Sequence, residues 1–137
     1  MYDAGYINLT NIDISTVVID QMKNRNEIRP EMKWDIGDVT DMIYDNDYFD
    51  MAIDKSTIDA LLCGDNAFLN VAKMTKEVQR VIKPGGAYFV ISYGRPENRT
   101  FHFDRKHLDF NTKQYVLYPD NCKSEDEKND KSHFVYV

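Results

Sequence analysis

The spacing of hydrophobic and polar positions changes several times along this chain, and each change predicts an element. Ile7-Asn8-Leu9-Thr10-Asn11-Ile12-Asp13-Ile14 alternates apolar and polar residues, which predicts a strand. Ser15 or Asp13 can cap the helix that follows, with Val17, Val18, Ile19 and Met22 as its apolar side through about Arg25. Before the strand, Gly5 sits where a helix-ending glycine would sit. Pro30 rules out a helix, and Met32 to Ile36 predicts a second strand closed by Gly37-Asp38-Val39-Thr40. After the polar turn Tyr44 to Tyr48, Met51-Ala52-Ile53 is a short apolar run of the kind that fills a buried strand. It breaks at once into the polar cluster Asp54-Lys55-Ser56-Thr57.

Asn66 to Ile82 carries the clearest helical period, with Phe68, Val71, Met74, Val78 and Val81 at three- and four-residue steps. Lys83-Pro84-Gly85-Gly86 stops it. Ala87 to Tyr93 is nearly continuous in apolar residues, as in a strand covered on both faces. Thr112 to Tyr118 and His133 to Val137 predict two last strands with no long helix between them, hence an antiparallel hairpin. The segment between them, Asn121 to Lys131, is charged and reads as a solvated loop. The expected fold class is α/β, a mostly parallel sheet with an antiparallel C-terminal hairpin.

Composition narrows the picture modestly. The 137 residues are the size of one domain, and 42% hydrophobic content supports a core. The net charge of -6 argues against nucleic acid as the main partner. Arg105-Lys106 among phenylalanines does not reverse this, because Glu97, Asp104 and Asp109 lie beside them. Cys63 and Cys122 form no CxxC pattern and read as reduced thiols. His102, His107 and His133 lack ligand spacing, so no metal is expected. No apolar run approaches a membrane span or signal peptide, so no membrane partner and a cytoplasmic location are expected.

Candidate chemistry gathers where strands end. Asp13, Asp38 and Asp54 each close a predicted strand. In a parallel sheet all three project from the carboxyl edge, where ligands bind in open α/β sheets. A carboxylate there suits the vicinal hydroxyls of a ribose, and Asp38 followed by the Val39 amide suits an adenine. Each aspartate alone is as readily a helix cap or turn residue. The acid after the second strand also occurs in dinucleotide-dependent oxidoreductases, a more distant reading given the Asp-Lys-Ser-Thr cluster and the antiparallel ending.

Asp13-Ile14-Ser15, Gly37-Asp38-Val39-Thr40, Phe49 through Leu62, Val81 through Gly86 and Ser92 through Pro96 follow one another in a recognisable order. In that order and spacing the chain resembles class I S-adenosylmethionine-dependent methyltransferases. The nearest resemblance is to the eukaryotic branch with the signature Asp-Lys-Gly-Thr-Leu-Asp-Ala, which includes enzymes acting on lysines of translation elongation factor 1-alpha. The signature reads Asp54-Lys55-Ser56-Thr57-Ile58-Asp59-Ala60 here. The resemblance implies a Rossmann-like sheet, S-adenosylmethionine as cofactor and a protein substrate with a lysine acceptor. It implies that Asp13 holds the ribose, Ile14 packs on the nucleoside, Asp38 and Val39 hold the adenine, and Lys55 lies along the cofactor. Asp54 would be the catalytic-site carboxylate, meeting the cationic acceptor, with Tyr93, Phe101 and Phe103 around the acceptor mouth.

Two departures accompany the resemblance. Ser56 replaces the usual glycine, which puts a positive-φ turn there in question. The six glycines, at 5, 37, 64, 85, 86 and 94, include no GxG pair, and the usual first strand and glycine loop are lacking. Residues 1–137 are therefore expected to form one incomplete, N-terminally truncated methyltransferase domain. In the family's sheet order the lacking strand is central, so the gap would be filled by a repositioned strand or by a second copy in a homodimer. The alternative is a non-catalytic methyltransferase-like module, or an inactive fragment, acting through association.

Overall fold

The computed structural model describes residues 1–120, 124 and 131–137. Cys122, the Glu125-Asp126-Glu127 run and most of the expected Asn121–Lys131 loop lie outside the described residues. The chain divides into two compact units, Met1–Ile43 and Tyr44–Val137.

The first unit is a strand, a helix and a strand. After a 3₁₀ turn, Tyr2–Ala4, Gly5 adopts φ 92° and its N–H donates to Tyr2 O, the glycine ending that its position implied. β1 (Thr10–Asp13) pairs in parallel with β2 (Lys33–Ile36), Thr10 opposite Lys33 and Asp13 opposite Ile36. β1 is shorter than the alternating stretch because its partner strand begins only after the Pro30 turn. α1 (Thr16–Arg25) starts where Ser15 Oγ accepts from the Val18 N–H. Its inward residue is Ile19, whereas Val17 and Val18 are exposed. The apolar face thus runs along a narrower line than the sequence suggested.

The second unit holds β3 (Phe49–Lys55), α2 (Thr57–Leu62), α3 (Ala67–Val81) and β4 (Ile82–Ser92). A short helix α4 (Thr100–Phe103) and the strands β5 (Gln114–Leu117) and β6 (His133–Tyr136) follow. The sheet order is β3-β4-β6-β5, with β3 and β4 parallel and both β6 pairings antiparallel. α3 buries Val71, Met74, Thr75, Val78 and Val81, most of the periodic face read from the sequence, whereas Phe68 at its first turn is exposed. Ile58, Tyr88, Val90, Phe103 and Tyr136 are buried in the same unit, with the Phe103 ring packed against those of Tyr88 and Tyr136. Burying such side chains supplies about 1.5–3 kcal/mol each and is the main force holding this unit together.

α3 passes into β4 without a loop. Opposite them, Phe49 pairs with Ile82 but Met51 with Ala87, so Lys83-Pro84-Gly85-Gly86 bulges out of the ladder. Gly85 takes φ 80°, and a Cβ on Gly86 would lie 2.7 Å from Asp50 O, so both positions require glycine.

β3 differs from its expectation. Ala52 and Asp54 turn inward, but Met51 and Ile53 are exposed on the opposite face. The apolar run therefore covers one face of the core, and its outer face stays open. Neither β1 nor β3 has a second ladder partner among the described residues.

Candidate functional site

In the first unit the expected nucleoside residues sit at the carboxyl ends of adjacent parallel strands. The Gly37 N–H donates to Asp13 O at 3.0 Å, which sets the Gly37-Asp38-Val39 turn beside the end of β1. Asp13 Oδ1 accepts from the Ser15 N–H at 2.8 Å, leaving Oδ2 without a partner among the described residues. Asp38 Oδ1 accepts from the Thr40 N–H at 2.8 Å, and the carboxylate is exposed. Both aspartates thus make local turn contacts and each still presents an acceptor. Ile14, next to Asp13, is 74% exposed. An open carboxylate oxygen beside an uncovered apolar side chain matches a molecule with vicinal hydroxyls and a flat apolar face. The structure therefore brings Asp13, Ile14, Asp38 and Val39 together at one edge.

In the second unit Asp54 and Lys55 end β3. Asp54 is 6% exposed. Its Oδ1 accepts from the Thr57 N–H at 2.7 Å, and its Oδ2 from the Ile58 N–H at 3.1 Å and the Tyr88 hydroxyl at 3.3 Å. It therefore caps α2, satisfying N–H groups that the helix cannot. Burial pushes the Asp54 pKa up, and these hydrogen bonds offset part of the rise. Tyr88 is pushed well above its ordinary value by burial and by the Asp54 charge. A carboxylate with three donors and so little open surface serves the turn it belongs to. Lys55, by contrast, is exposed and its Nζ makes no ion pair among the described residues.

Ser56 takes φ 68°, ψ 5° without a glycine. Its N–H donates to Ile91 O at 3.0 Å, which ties the turn to β4. The left-handed conformation costs a non-glycine residue about 1–2 kcal/mol.

The three aromatic residues expected around an acceptor mouth separate. Phe103 is a core residue, packed against Tyr88 and Tyr136. Phe101 and Tyr93 are exposed. His102, held between Phe68 and Phe101, is buried; its Nδ1 lies 3.4 Å from Arg105 Nη2 and its Nε2 has no partner among the described residues. Burial, with Arg105 and Arg99 nearby, lowers its pKa to about 4.

Sequence reasoning missed a polar network at the end of β4. Asp59 accepts from Ser92 Oγ at 2.5 Å, from the Tyr93 N–H at 3.2 Å and from Arg99 Nη2 at 2.9 Å. Burial pushes the Asp59 pKa up, but these partners outweigh it and leave the carboxyl below its ordinary value. Asp59 lies inside the signature, which was a signal for it. Arg99, forty residues later, had none.

No group of three or more His, Cys, Asp or Glu side chains could hold a metal among the described residues. No helix there is long and apolar enough to cross a membrane.

Residues 1–90 match the methyltransferase domain family, and the chain belongs to it. The eEF1A lysine and N-terminal methyltransferase of Bos taurus is 39% identical over 112 residues, covering 77% of this chain and 16% of that protein. Its Xenopus laevis counterpart is 42% identical over 95 residues, covering 67% of this chain and 14% of that one. The chain thus spans about a sixth of the length of these relatives. A SAM-dependent methyltransferase structure from Methanosarcina mazei superposes with TM-score 0.69 at 15% identity, covering 93% of this chain and 79% of that one. The shared fold is the Rossmann-like α/β sheet of these enzymes.

Proposed function

We propose that this chain is a methyltransferase domain that takes S-adenosylmethionine and acts in methyl transfer to a protein lysine, with eEF1A as the acceptor protein. The observation that carries the reading is the adjacency of Asp13 and the Gly37-Asp38-Val39 turn at one strand edge, in a chain of the methyltransferase domain family. The relatives' names supply the acceptor. The two widely spaced cysteines favour the cytosol.

Asp13 Oδ2 would accept from the ribose hydroxyls and Ile14 would cover the base. Asp38 and the Val39 N–H would meet the adenine edge, and Lys55 would lie along the cofactor. S-adenosylmethionine supplies a methyl group on a sulfonium, a good leaving group. The protein's main task is then alignment. A lysine acceptor must reach the site neutral, and with an ordinary pKa near 10.4 only about one in a few thousand is so at pH 7. Apolar surroundings lower that value, whereas a nearby carboxylate raises it. Asp54 fits best as a positioning residue that fixes the Lys55-Ser56 turn, because its oxygens are already engaged. The free edge of β3 would accept a further strand, from more polypeptide or from a second copy in a homodimer.

Calorimetry with S-adenosylmethionine on residues 1–137 tests the reading. Binding that Asp13→Ala abolishes is the expected result. No heat from the unsubstituted chain would overturn the cofactor assignment and favour a module that acts through association. The absence of a GxG pair in the sequence is the observation on that side.

A further inference from the structure

The carboxyl end of β4 carries a densely hydrogen-bonded polar network. The Ser92 hydroxyl donates to Asp59 and accepts from Arg99 Nε at 3.1 Å and from the Gly94 N–H at 2.9 Å, so its whole hydrogen-bonding capacity is used. Asp59 receives three donors, and the Tyr136 hydroxyl donates to Gly94 O at 2.7 Å. A Cβ on Gly94 would fall 2.2 Å from Arg99 Cζ, so the guanidinium passes against bare backbone.

Stability alone is a poor reason for such a device. The Asp59 and Arg99 side chains are 17% and 15% exposed, so both lose most of their hydration. Attraction between partly buried charges does little more than offset that loss. What the network does supply is fixed geometry. It holds the backbone from Ser92 to Gly94 on α2 and sets the direction in which Tyr93 leaves the sheet. Tyr93 is 61% exposed, and its ring centroid lies 4.2 Å from that of His133. This aromatic pair stands at the carboxyl edge of the parallel strands, since Lys55 is in register with Ile91, and that edge is where open α/β sheets bind ligands. None of the residues assigned to the nucleoside lies in this loop.

We propose that Asp59, Ser92 and Arg99 are positioning residues that hold the Tyr93 ring as a docking face for the methyl-acceptor side chain, and that they have no part in holding the cofactor. The inference rests on the lysine-acceptor reading above. A lysine brings an apolar stem and an ammonium, and an exposed aromatic face accommodates both.

The test uses the 137-residue chain with two separate readouts, affinity for eEF1A and affinity for S-adenosylmethionine. Tyr93→Ala is expected to weaken eEF1A binding about tenfold, and Tyr93→Phe to restore it, because the ring and not the hydroxyl carries the contact. Arg99→Ala is expected to reproduce the Tyr93→Ala loss, with cofactor affinity within about twofold of the original. The double variant should bind no worse than Tyr93→Ala alone, because Arg99 acts through that ring. Gly94→Ala, which displaces the guanidinium and keeps every charge, should match Arg99→Ala. Additive losses in the double variant, or parallel loss of both affinities, would overturn the proposal. An unsubstituted chain that binds cofactor but not eEF1A would overturn the acceptor reading and the clamp's role together. One that binds eEF1A but not cofactor would overturn only the cofactor assignment.

Discussion

The two units use the same parallel pairing but are filled very differently. In Tyr44–Val137, α3 buries a face that is apolar except for Thr75, and the buried set includes Ile58, Val71, Met74, Val78, Val81, Val90, Phe103 and Tyr136. In Met1–Ile43, Ile19 is the one fully buried apolar side chain among the described residues. Ile7, Ile14, Val17, Val18, Ile28 and Ile36 remain exposed there. A parallel pair ordinarily has both faces covered, and a unit as short as Met1–Ile43 can bury only a small core. The unit with most of the expected cofactor residues is thus the one with least core of its own. The unit with the signature is the better built.

That contrast can be attacked at three levels, beginning with the largest effect. Asp54 and Asp13 do similar local work, each accepting a backbone N–H just after a strand, but only Asp54 is buried. Asp54→Ala removes a cap and leaves the buried Tyr88 hydroxyl without its acceptor, so a loss of about 2–4 kcal/mol is expected. Asp13→Ala should cost less than about 1 kcal/mol. Urea titrations can follow both, with Trp34, the only tryptophan, reporting the first unit and the near-ultraviolet signal of the buried tyrosines the second. Equal costs would mean that the two units share one degree of support.

The second level is pH. His102 has a folded pKa of about 4 against an ordinary 6.5, so at pH 7 the ring is neutral folded or unfolded. As pH falls through 6.5 the unfolded chain takes up the proton first. The stability that His102 contributes is therefore present above pH 6.5 and lost on the way down to about 4. Asp54, raised by burial, works in the opposite sense: stability is lost as pH rises from its ordinary 3.8 through its folded value. Between pH 7 and 5 the histidine dominates, and a fall of about 5 °C in melting temperature is expected. His102→Gln should flatten that slope. An unchanged slope would remove His102 from the account.

The smallest effect concerns Ser56. Ser56→Gly should raise stability by about 0.5–1 kcal/mol, the relief of its left-handed conformation less the added freedom of glycine when unfolded. Denaturant midpoints would show it. A loss would mean that the serine side chain supports the turn.

Much of this was legible in the sequence because local physics dictated it. The α3 face is a matter of helical period, and the Gly5, Pro30 and Gly85-Gly86 punctuation follows from backbone freedom. The terminal hairpin follows from two strand patterns joined by a charged stretch with no helical period in its sequence. The open outer face of β3 was not legible: Met51-Ala52-Ile53 looks the same whether one or both faces are covered, and only what packs over Met51 and Ile53 decides it. At the site, the strand-end aspartates could be located from spacing. The duty of Asp54 as a cap, the burial of Phe103 and the link from Asp59 to Arg99 depend on packing between segments far apart in sequence.

The loopless passage from α3 into β4 has a mechanical side. Val81 ends the helix and Ile82 begins the strand, so α3 and β4 form one continuous lever with the Asp59-Arg99 fastening at its far end. The Lys83-Pro84-Gly85-Gly86 bulge is the slack in the line, three residues longer on β4 than the step it matches on β3 (five positions, 82 to 87, against two, 49 to 51). It lets a displacement of the helix be taken up near its own end before it reaches the edge where Tyr93 stands.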